Sequence, residues 1–283
     1  MNTMSAVASR SEFQRAWGDL RVTLRLRDGR TVLEDLRQDG CLKARFPRPV
    51  DLAEVTTLNT SGGVAGGDRL RMAFEVGAGA AACFASQAAE RFYRALPEDA
   101  PARLRSTVRV AAGGLAEWLP QESILFDRCA LDRVLEVDMA ADARFIGVES
   151  LVFGRALMGE TVRAARLADT IRIRRDGRLL LHDAIRLDGD LATAMARPAI
   201  GAGAGAVATL LYVAPDAPAR LDALRAAWAA GAVEGAVEGG ASCWDGMLVG
   251  RLVARDGAAL RAAVASGLEC LRDGRALPRV WMC

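Results

Sequence analysis

Three acidic side chains lie in one short stretch of the sequence, where they could act in acid–base chemistry. Glu117 and Glu122 flank the segment Trp118-Leu119-Pro120-Gln121, and Asp127 follows five residues after Glu122. Paired carboxylates serve as general acid and general base in many hydrolases. Acids at the edges of strands are more often simply solvated. We therefore favour solvation over catalysis for these three residues.

A hydrolase of the serine type has little support. His182 is the only histidine, and the sequence contains no Gly-x-Ser-x-Gly segment that would present a nucleophile. His182 follows an apolar segment and precedes Asp183, which favours a structural histidine with a satisfied hydrogen bond over a catalytic base.

A glycine-rich segment, Leu58–Leu70, could place backbone amides around an anion. No Gly-Lys-Ser or Gly-Lys-Thr follows it, so it is not a Walker A loop. The glycine spacing also differs from a dinucleotide fingerprint, and no helical pattern comes after it. We therefore expect a structural turn here rather than a phosphate site.

The cysteines offer little for metal binding. None of the six belongs to a Cys-x-x-Cys pair, which favours reduced and mostly buried thiols. A stable nickel or zinc site normally needs several imidazoles or thiolates within reach. The residues alone therefore reveal no active site. The cysteines are Cys41, Cys83, Cys129, Cys243, Cys270 and Cys283.

Composition limits the class of protein. Of the 283 residues 52% are hydrophobic and 25% are charged, with a formal net charge of +2. The charges are interspersed, so no basic block marks a nucleic-acid surface. Residues 1–15 lack the apolar core of a secretory signal. The longest apolar run, Ala199–Ala214, is too short to span a bilayer. We expect a soluble cytoplasmic protein that binds neither nucleic acid nor membrane.

The dominant local pattern is that of the β-strand. Arg21–Arg27 alternates apolar and polar residues, and Asp28-Gly29 suits a tight hairpin turn. The Asp-Gly dipeptide occurs seven times, and a second hairpin is predicted around Asp176-Gly177. Together these patterns predict a mainly β fold. Further strands are expected around Val108–Val110, at Leu131–Met139 and at Phe145–Val152, and Ala199–Ala214 is expected to be a buried strand or a turn.

Helical spacing occurs twice, late in the chain. Ala219–Ala230 and Ala258–Leu271 each place apolar residues on one face, so two α-helices are predicted in the C-terminal third. No linker is long enough to require a domain boundary. We therefore expect a single domain over residues 1–283, with residues 1–15 as a flexible tail.

Five segments, in order along the chain, resemble the UreD (UreH) family of urease accessory proteins. The first resembles the family's Gly-Gly-x-x-Gly-Gly-Asp signature, although Thr60 and Ser61 stand where the family often has prolines. The second resembles its Ala-x-x-x-x-Tyr-Arg element, and the third its Glu-Trp-Leu-Pro-Gln-Glu stretch. The last two are similar to its Leu-Gly-Arg-x-x-x-Gly-Glu segment and its Arg-x-Trp ending. The segments are Asn59–Leu70, Gln87–Arg94, Glu117–Asp127, Leu151–Glu160 and Pro278–Trp281.

The resemblance implies a β-helix-like stack of short strands that carries two helices. It also implies a non-enzymatic role. Members of this family act with UreF and with the GTPase UreG in a complex that docks on apo-urease and delivers nickel to its metallocentre. A homodimer within that complex is a further expectation.

The resemblance further suggests a scaffold that offers Ni²⁺ a transient path, with nickel in transit and no permanently bound cofactor. An ion that must leave again is better served by weak oxygen ligands than by a cage of histidines and cysteines. The candidate path residues are acids in or beside the family segments. Two alternatives remain: an adaptor that opens apo-urease without carrying metal, and a small hydrolase. The candidates are Asp68, Glu117, Glu122, Asp127, Glu149 and Asp183.

Overall fold

The structure is a computed structural model that describes residues 15–49, 51–155, 159–230 and 235–282. The predicted N-terminal hairpin forms from β1 (Trp17–Arg27) and β2 (Arg30–Gly40). Leu20, Val22 and Leu24 of β1 are buried, as the alternation predicts. Asp28 and Gly29 both have positive φ angles, the conformation that an Asp-Gly hairpin turn requires.

The described residues form two β-sheets. In the first sheet the strand order is β14-β13-β11-β8-β5-β1-β2. Its central strands are parallel, and an antiparallel pair closes each end. The strands not yet given are β5 (Arg69–Val76), β8 (Ala102–Val110), β11 (Ala130–Met139), β13 (Ala164–Arg175) and β14 (Arg178–Asp190).

The second sheet has ten strands, with the main order β16-β17-β15-β12-β9-β6-β4-β3. Two short strands, β7 and β10, lie off this path, where β10 pairs with both β12 and β7. The strands are β3 (Leu42–Arg45), β4 (Ala53–Asn59), β6 (Ala81–Ser86), β7 (Glu90–Phe92), β9 (Leu115–Leu119), β10 (Ser123–Leu125), β12 (Arg144–Phe153), β15 (Ala206–Val213), β16 (Val237–Trp244) and β17 (Met247–Ala254).

The chain alternates between the two sheets from β4 to β13. In the first sheet β5, β8, β11 and β13 pair in parallel in that order, and in the second sheet β4, β6, β9 and β12 do the same, so that the chain winds as a coil. This arrangement confirms the expected mainly β fold with a β-helix-like stack. The main hydrophobic core fills the space between the sheets, where the rings of Phe74 and Phe84 lie 4.5 Å apart.

The two predicted helices are confirmed as α2 (Ala217–Ala230) and α3 (Gly257–Leu271). They cover the second sheet, and their buried residues Leu224, Trp228, Leu260 and Leu268 form a second core against it. A third helix, α1 (Leu191–Ala196), was not predicted because six residues are too few to show a helical period. The described chain ends in a 3₁₀ turn at Arg279–Met282.

The Asp-Gly dipeptides do not all form hairpins. Asp28, Asp176 and Asp245 have positive φ angles in hairpin turns, as expected. Asp256 instead caps the N-terminus of α3, and its Oδ1 accepts a hydrogen bond from the backbone N–H of Ala259 at 2.9 Å.

We expect Asp256→Ala to lower the free energy of unfolding by about 1 kcal/mol, because the N-terminus of α3 loses its cap. The bond from the N–H of Ala259 holds the pKa of Asp256 below its usual value. This stabilisation is therefore present above the ordinary aspartate pKa and is lost as the pH falls through the lowered pKa. Urea denaturation of both proteins at neutral and at acidic pH measures the difference. A loss that does not shrink in acid would contradict this account.

The predicted N-terminal tail lies outside the described residues, except for Arg15. None of the described helices has both the length and the apolar character needed to cross a bilayer.

Candidate functional site

Two cavities lie between the sheets, and Glu149 lines both of them. The first has a volume of about 220 Å³ and is bordered by Asn59, Gly63 and Glu90 on the side of the family's glycine-rich segment. The second has a volume of about 470 Å³ and is bordered by Asp183. A carboxylate that lines both cavities is the natural centre of a candidate site.

Arg133 links the two sheets at this point. It projects inward from β11, and its Nη1 lies 2.6 Å from Oε2 of Glu149 on β12. Its Nε and Nη2 donate to the two carboxylate oxygens of Asp169 on β13, at 2.9 and 2.6 Å. The indole N–H of Trp118 donates to Oε1 of Glu149 at 2.8 Å. Two buried acids thus share one buried cation, which leaves one formal negative charge in excess.

Burial is the main reason why the pKa of Glu149 is raised, and Asp169 adds to the effect, whereas Arg133 and Trp118 oppose it. Glu90, which borders the first cavity, has a pKa raised by the same main cause. The amide of Asn59 donates to Oε2 of Glu90 at 3.1 Å and partly offsets that increase. Both carboxyl groups therefore hold a proton more readily than exposed glutamates do.

Asp183 forms a second link between the sheets. Its Oδ1 lies 2.5 Å from Nη2 of Arg251, which projects from β17. Nη1 of Arg251 donates to the hydroxyl of Thr209 at 2.9 Å. Asp183 and Glu149 are the only two of the six predicted path residues that border the described cavities.

Glu117 is completely buried, which contradicts its interpretation as a solvated acid. Nε of Arg272 donates to Oε2 of Glu117 at 2.9 Å, and Nη2 of Arg275 donates to Oε1 at 2.6 Å. Both arginines follow α3 directly. The role that the structure gives to Glu117 is therefore to attach the end of α3 to β9.

Glu122 is also buried rather than solvated, and it holds the C-terminal segment in place. Nη1 of Arg261, on α3, donates to both carboxylate oxygens of Glu122, at 2.9 and 3.1 Å. The same guanidinium donates to the carbonyl of Trp281 at 2.5 Å and lies over its ring.

Asp68 and Asp127 accept hydrogen bonds from backbone amides. The carboxylate of Asp68 accepts from the N–H groups of Ala16 and Ala65, each at 2.8 Å. These bonds close the glycine-rich segment and support its interpretation as a structural turn. Partial burial favours the neutral form of Asp127, but two bonds from the N–H groups of Ala164 and Arg163 outweigh it and lower its pKa.

His182 is exposed on the outer face of the first sheet and has no hydrogen-bond partner among the described residues. Its interpretation as a satisfied structural histidine was therefore wrong. Of the described cysteines, Cys83 and Cys129 are buried and the other three are partly buried. Burial raises the pKa of Cys83 well above its usual value and that of Cys129 to about 12. Within the described residues no three metal-ligating side chains come together.

Sequence reasoning missed Arg133, Asp169 and Glu90. The first two stand at inward positions of alternating strands, between Leu131 and Leu135 and between Leu167 and Ile171. A charge at such a position must find a partner, and this signal was available in the sequence. Glu90 belongs to the segment Gln87–Arg94, which was recognised for its resemblance and not for this acid.

Comparison with known proteins identifies the family. The model of the family described as UreD urease accessory protein matches residues 16–282. A protein named urease accessory protein UreD from Sinorhizobium medicae is 45% identical over 269 residues, which cover 95% of this chain and 96% of the relative. Proteins of the same name from Dinoroseobacter shibae and Xanthobacter autotrophicus are 46% and 42% identical over 270 and 279 residues. These matches cover 95% and 99% of this chain, and 92% and 94% of the relatives.

The matches thus extend over both sheets, the two cavities and the C-terminal helices. This chain belongs to the UreD family of urease accessory proteins.

Proposed function

We propose that this protein is a non-enzymatic scaffold in the assembly of urease, where it acts with UreF, UreG and apo-urease and gives Ni²⁺ a transient path. Membership of the UreD family supports the assembly role. The single observation that carries the path is the position of Glu149 in the lining of both cavities. Nickel is the cargo in this proposal and not a resident cofactor.

The charges around Glu149 suit brief contact with a cation. Glu149 and Asp169 share Arg133, so one negative charge remains to attract a metal ion. The guanidinium competes with the ion for the same oxygens, which keeps the site weak. An ion in transit must be able to leave, and weak oxygen ligands allow this where thiolates and imidazoles would retain it.

Protons can leave in exchange for the metal. Glu90 and Glu149 both have raised pKa values, so their protonated fraction is larger than that of exposed glutamates. A metal ion binds only the deprotonated carboxylate and therefore displaces the proton. Uptake along this path is expected to weaken as the pH falls.

The proposed path includes only two of the six acids that the sequence suggested. Glu149 and Asp183 remain in it, and Glu90 and Asp169 join them. Asp68, Glu117, Glu122 and Asp127 are left out of this proposal because arginines or backbone amides of turns and helix ends engage them outside the cavities.

Neutral, isosteric substitution at the cavities tests the path. We expect Glu149→Gln combined with Asp183→Asn to lower the nickel content of urease at least about fivefold, because the cavities lose the charge that attracts the ion. Nickel per urease active site and urease activity are measured in cells that carry the variant. Co-purification of the other assembly proteins is expected to remain as in the wild type.

Glu136→Gln is the matched control. Glu136 lies on the first sheet, as Asp183 does, but on the outer face, where it pairs with Arg172 at 3.0 Å. This variant should leave the nickel content unchanged. Normal nickel in the double variant at the cavities would contradict the path and leave the scaffold role intact.

One observation favours the adaptor without a metal path as a second candidate. Every one of the six predicted acids already accepts a hydrogen bond from, or pairs with, an arginine or a backbone amide. In an adaptor that carries no metal, the contacts of these acids with arginines and amides would serve only to keep the fold rigid. Deletion of the gene should give nickel-poor urease under both proposals, and only the cavity variants separate them.

A further inference from the structure

Four arginines form a block on the outer face of the first sheet, which we call the arginine patch: Arg69 and Arg71 on β5, with Arg103 and Arg105 on β8. In the parallel pairing of these strands Arg69 stands opposite Arg103, and Arg71 stands opposite Arg105. Neighbouring strands are only about 4.8 Å apart, so four cations share a small area. Like charges at opposing positions destabilise a sheet.

Of the four arginines, only Arg105 has a carboxylate partner among the described residues. Arg105 pairs with Asp132 at 2.6 Å. The other three, Arg69, Arg71 and Arg103, are exposed and have no carboxylate or hydrogen-bond partner for their side chains among the described residues. Within the part of the chain that the structure describes, three adjacent guanidinium groups thus lack an ion-pair partner.

The other end of the same face shows how this sheet pairs its charges elsewhere. Glu75 of β5 stands opposite Arg109 of β8, and the two side chains lie 3.0 Å apart. Glu136 and Arg172 form the same kind of pair between β11 and β13, also at 3.0 Å. Strands β5 and β8 thus place an acid opposite an arginine at one end and arginines opposite arginines at the other.

An aromatic side chain borders the patch. Trp17 of β1 stands opposite Arg69 in the parallel pairing, and 54% of its surface is exposed. Tryptophan and arginine are enriched at protein–protein interfaces and dominate their binding energy. A guanidinium also binds a carboxylate through two parallel hydrogen bonds.

Acids next to the patch limit what can bind there. Asp19 on β1 stands opposite Arg71, Asp132 on β11 stands opposite Arg103, and Glu75 follows along β5. A nucleic-acid backbone would need a longer basic stripe, and a single strand would need several exposed aromatic side chains. A short acidic segment of a protein matches the small area and the positive charge of the arginine patch.

We propose that the arginine patch, with Trp17 as its apolar anchor, is a docking surface for an acidic segment of a protein partner. This inference rests on the proposed assembly role, because the partner is one of the proteins of that complex. Docking supplies direct carboxylate partners for Arg69, Arg71 and Arg103, which have none among the described residues.

The test measures the binding of the full chain to purified apo-urease, UreF and UreG in turn. We expect Arg69→Glu combined with Arg103→Glu to weaken one of these affinities at least about 30-fold, since two charge contacts become repulsive. The wild-type affinity for that partner should fall as salt is added, because salt screens exposed charges. Arg27→Glu combined with Arg30→Glu makes the same charge change at the hairpin end of the sheet. It should leave all three affinities within about twofold of the wild type.

A neutral variant separates binding from folding. Arg69→Gln combined with Arg103→Gln removes the repulsion, so the protein should be at least as stable as the wild type and yet bind about tenfold more weakly. Wild-type affinity of both patch variants for all three partners would overturn the inference while the assembly role stands. Loss of binding to a single-stranded oligonucleotide, with protein binding intact, would overturn it in favour of nucleic acid. If the wild type binds none of the three, the assembly role and the docking surface fail together.

Discussion

Glu117→Ala is expected to lower the free energy of unfolding by about 3–5 kcal/mol, the usual result when one partner of a buried ion pair is removed. The side chain of Glu117 is 0% exposed and that of Arg272 is 4% exposed. Without the carboxylate, Arg272 stays buried as a cation that has only carbonyl oxygens as partners. Urea denaturation of the two proteins gives the difference.

Asp51→Ala is the matched control for this prediction. Asp51 pairs with Arg275, one of the two arginines that Glu117 also engages, but half of its side chain is exposed to solvent. Removal of such an exposed pair should cost less than about 1 kcal/mol. Equal losses in the two variants would show that the buried pair is not what holds the end of α3.

This prediction bears on how metal-loading experiments are interpreted. The free energy of unfolding of an ordinary domain is about 5–15 kcal/mol. A loss of about 3–5 kcal/mol can therefore reduce the amount of folded protein in cells. Poor urease activity with Glu117→Ala would therefore not identify a path residue. Neutral substitution at Glu149 limits this loss, because the side chain keeps its shape and Arg133 keeps Asp169 as a partner. Asp183→Asn breaks a pair whose Arg251 side chain is nearly half exposed, so its cost is also expected to be small.

The second large effect concerns the cation between the cavities. Arg133→Met should lower the free energy of unfolding by about 3–5 kcal/mol near pH 8, because Glu149 and Asp169 are left as two buried carboxylates without their shared partner. Two carboxylates in one site raise the pKa of one of them strongly. Denaturation measured from pH 8 down to pH 5 tests both parts of the prediction.

The sign of the pH dependence follows from the raised pKa. A carboxyl group whose pKa is higher in the folded protein binds more protons there than in the unfolded chain. Stability therefore rises as the pH falls from the raised pKa towards the ordinary glutamate value, and it is lost again as the pH increases. In the wild type the raised pKa of Glu149 works in the same direction, and loss of Arg133 should enlarge the effect.

Arg172→Met is the control for this variant. Arg172 forms an ion pair with Glu136 on the outer face, where both side chains are about one-third exposed. Its loss should cost less than about 1 kcal/mol and should not alter the pH profile. A pH profile of Arg133→Met that matches the wild type would contradict the shared-cation account.

The local elements of this fold were predictable from the sequence. The hairpin of β1 and β2 follows from strict alternation and an Asp-Gly turn, and both long helices follow from apolar spacing. The order of the strands within each sheet was not predictable from local pattern. It depends on parallel pairing between strands separated by a whole turn of the coil, which only tertiary packing selects. The β-helix-like stack was predicted through the family resemblance instead.

The candidate site was predicted only in part, for a similar reason. Glu149 and Asp183 were selected because acids lie in or beside the family segments, and the structure places both at the cavities. Their cations could not be predicted, because ion pairs between distant strands leave no local trace. Glu117 and Arg272 are 155 residues apart in the chain and make direct contact. Whether any of these acids meets nickel stays a prediction.

The strand order has a consequence for how the protein is made. Along the first sheet the order runs β2-β1-β5-β8-β11-β13-β14, so apart from the initial hairpin each strand adds to the one synthesised before it. Because the ribosome releases the chain from its N-terminus, each new strand of this sheet can pair with a strand that has already been synthesised. Until the next strand arrives, the edge of the growing sheet is unpaired and open to other chains. The antiparallel strand β14 is the last to join the sheet. The order of synthesis is therefore the order in which the strands of this sheet can pair.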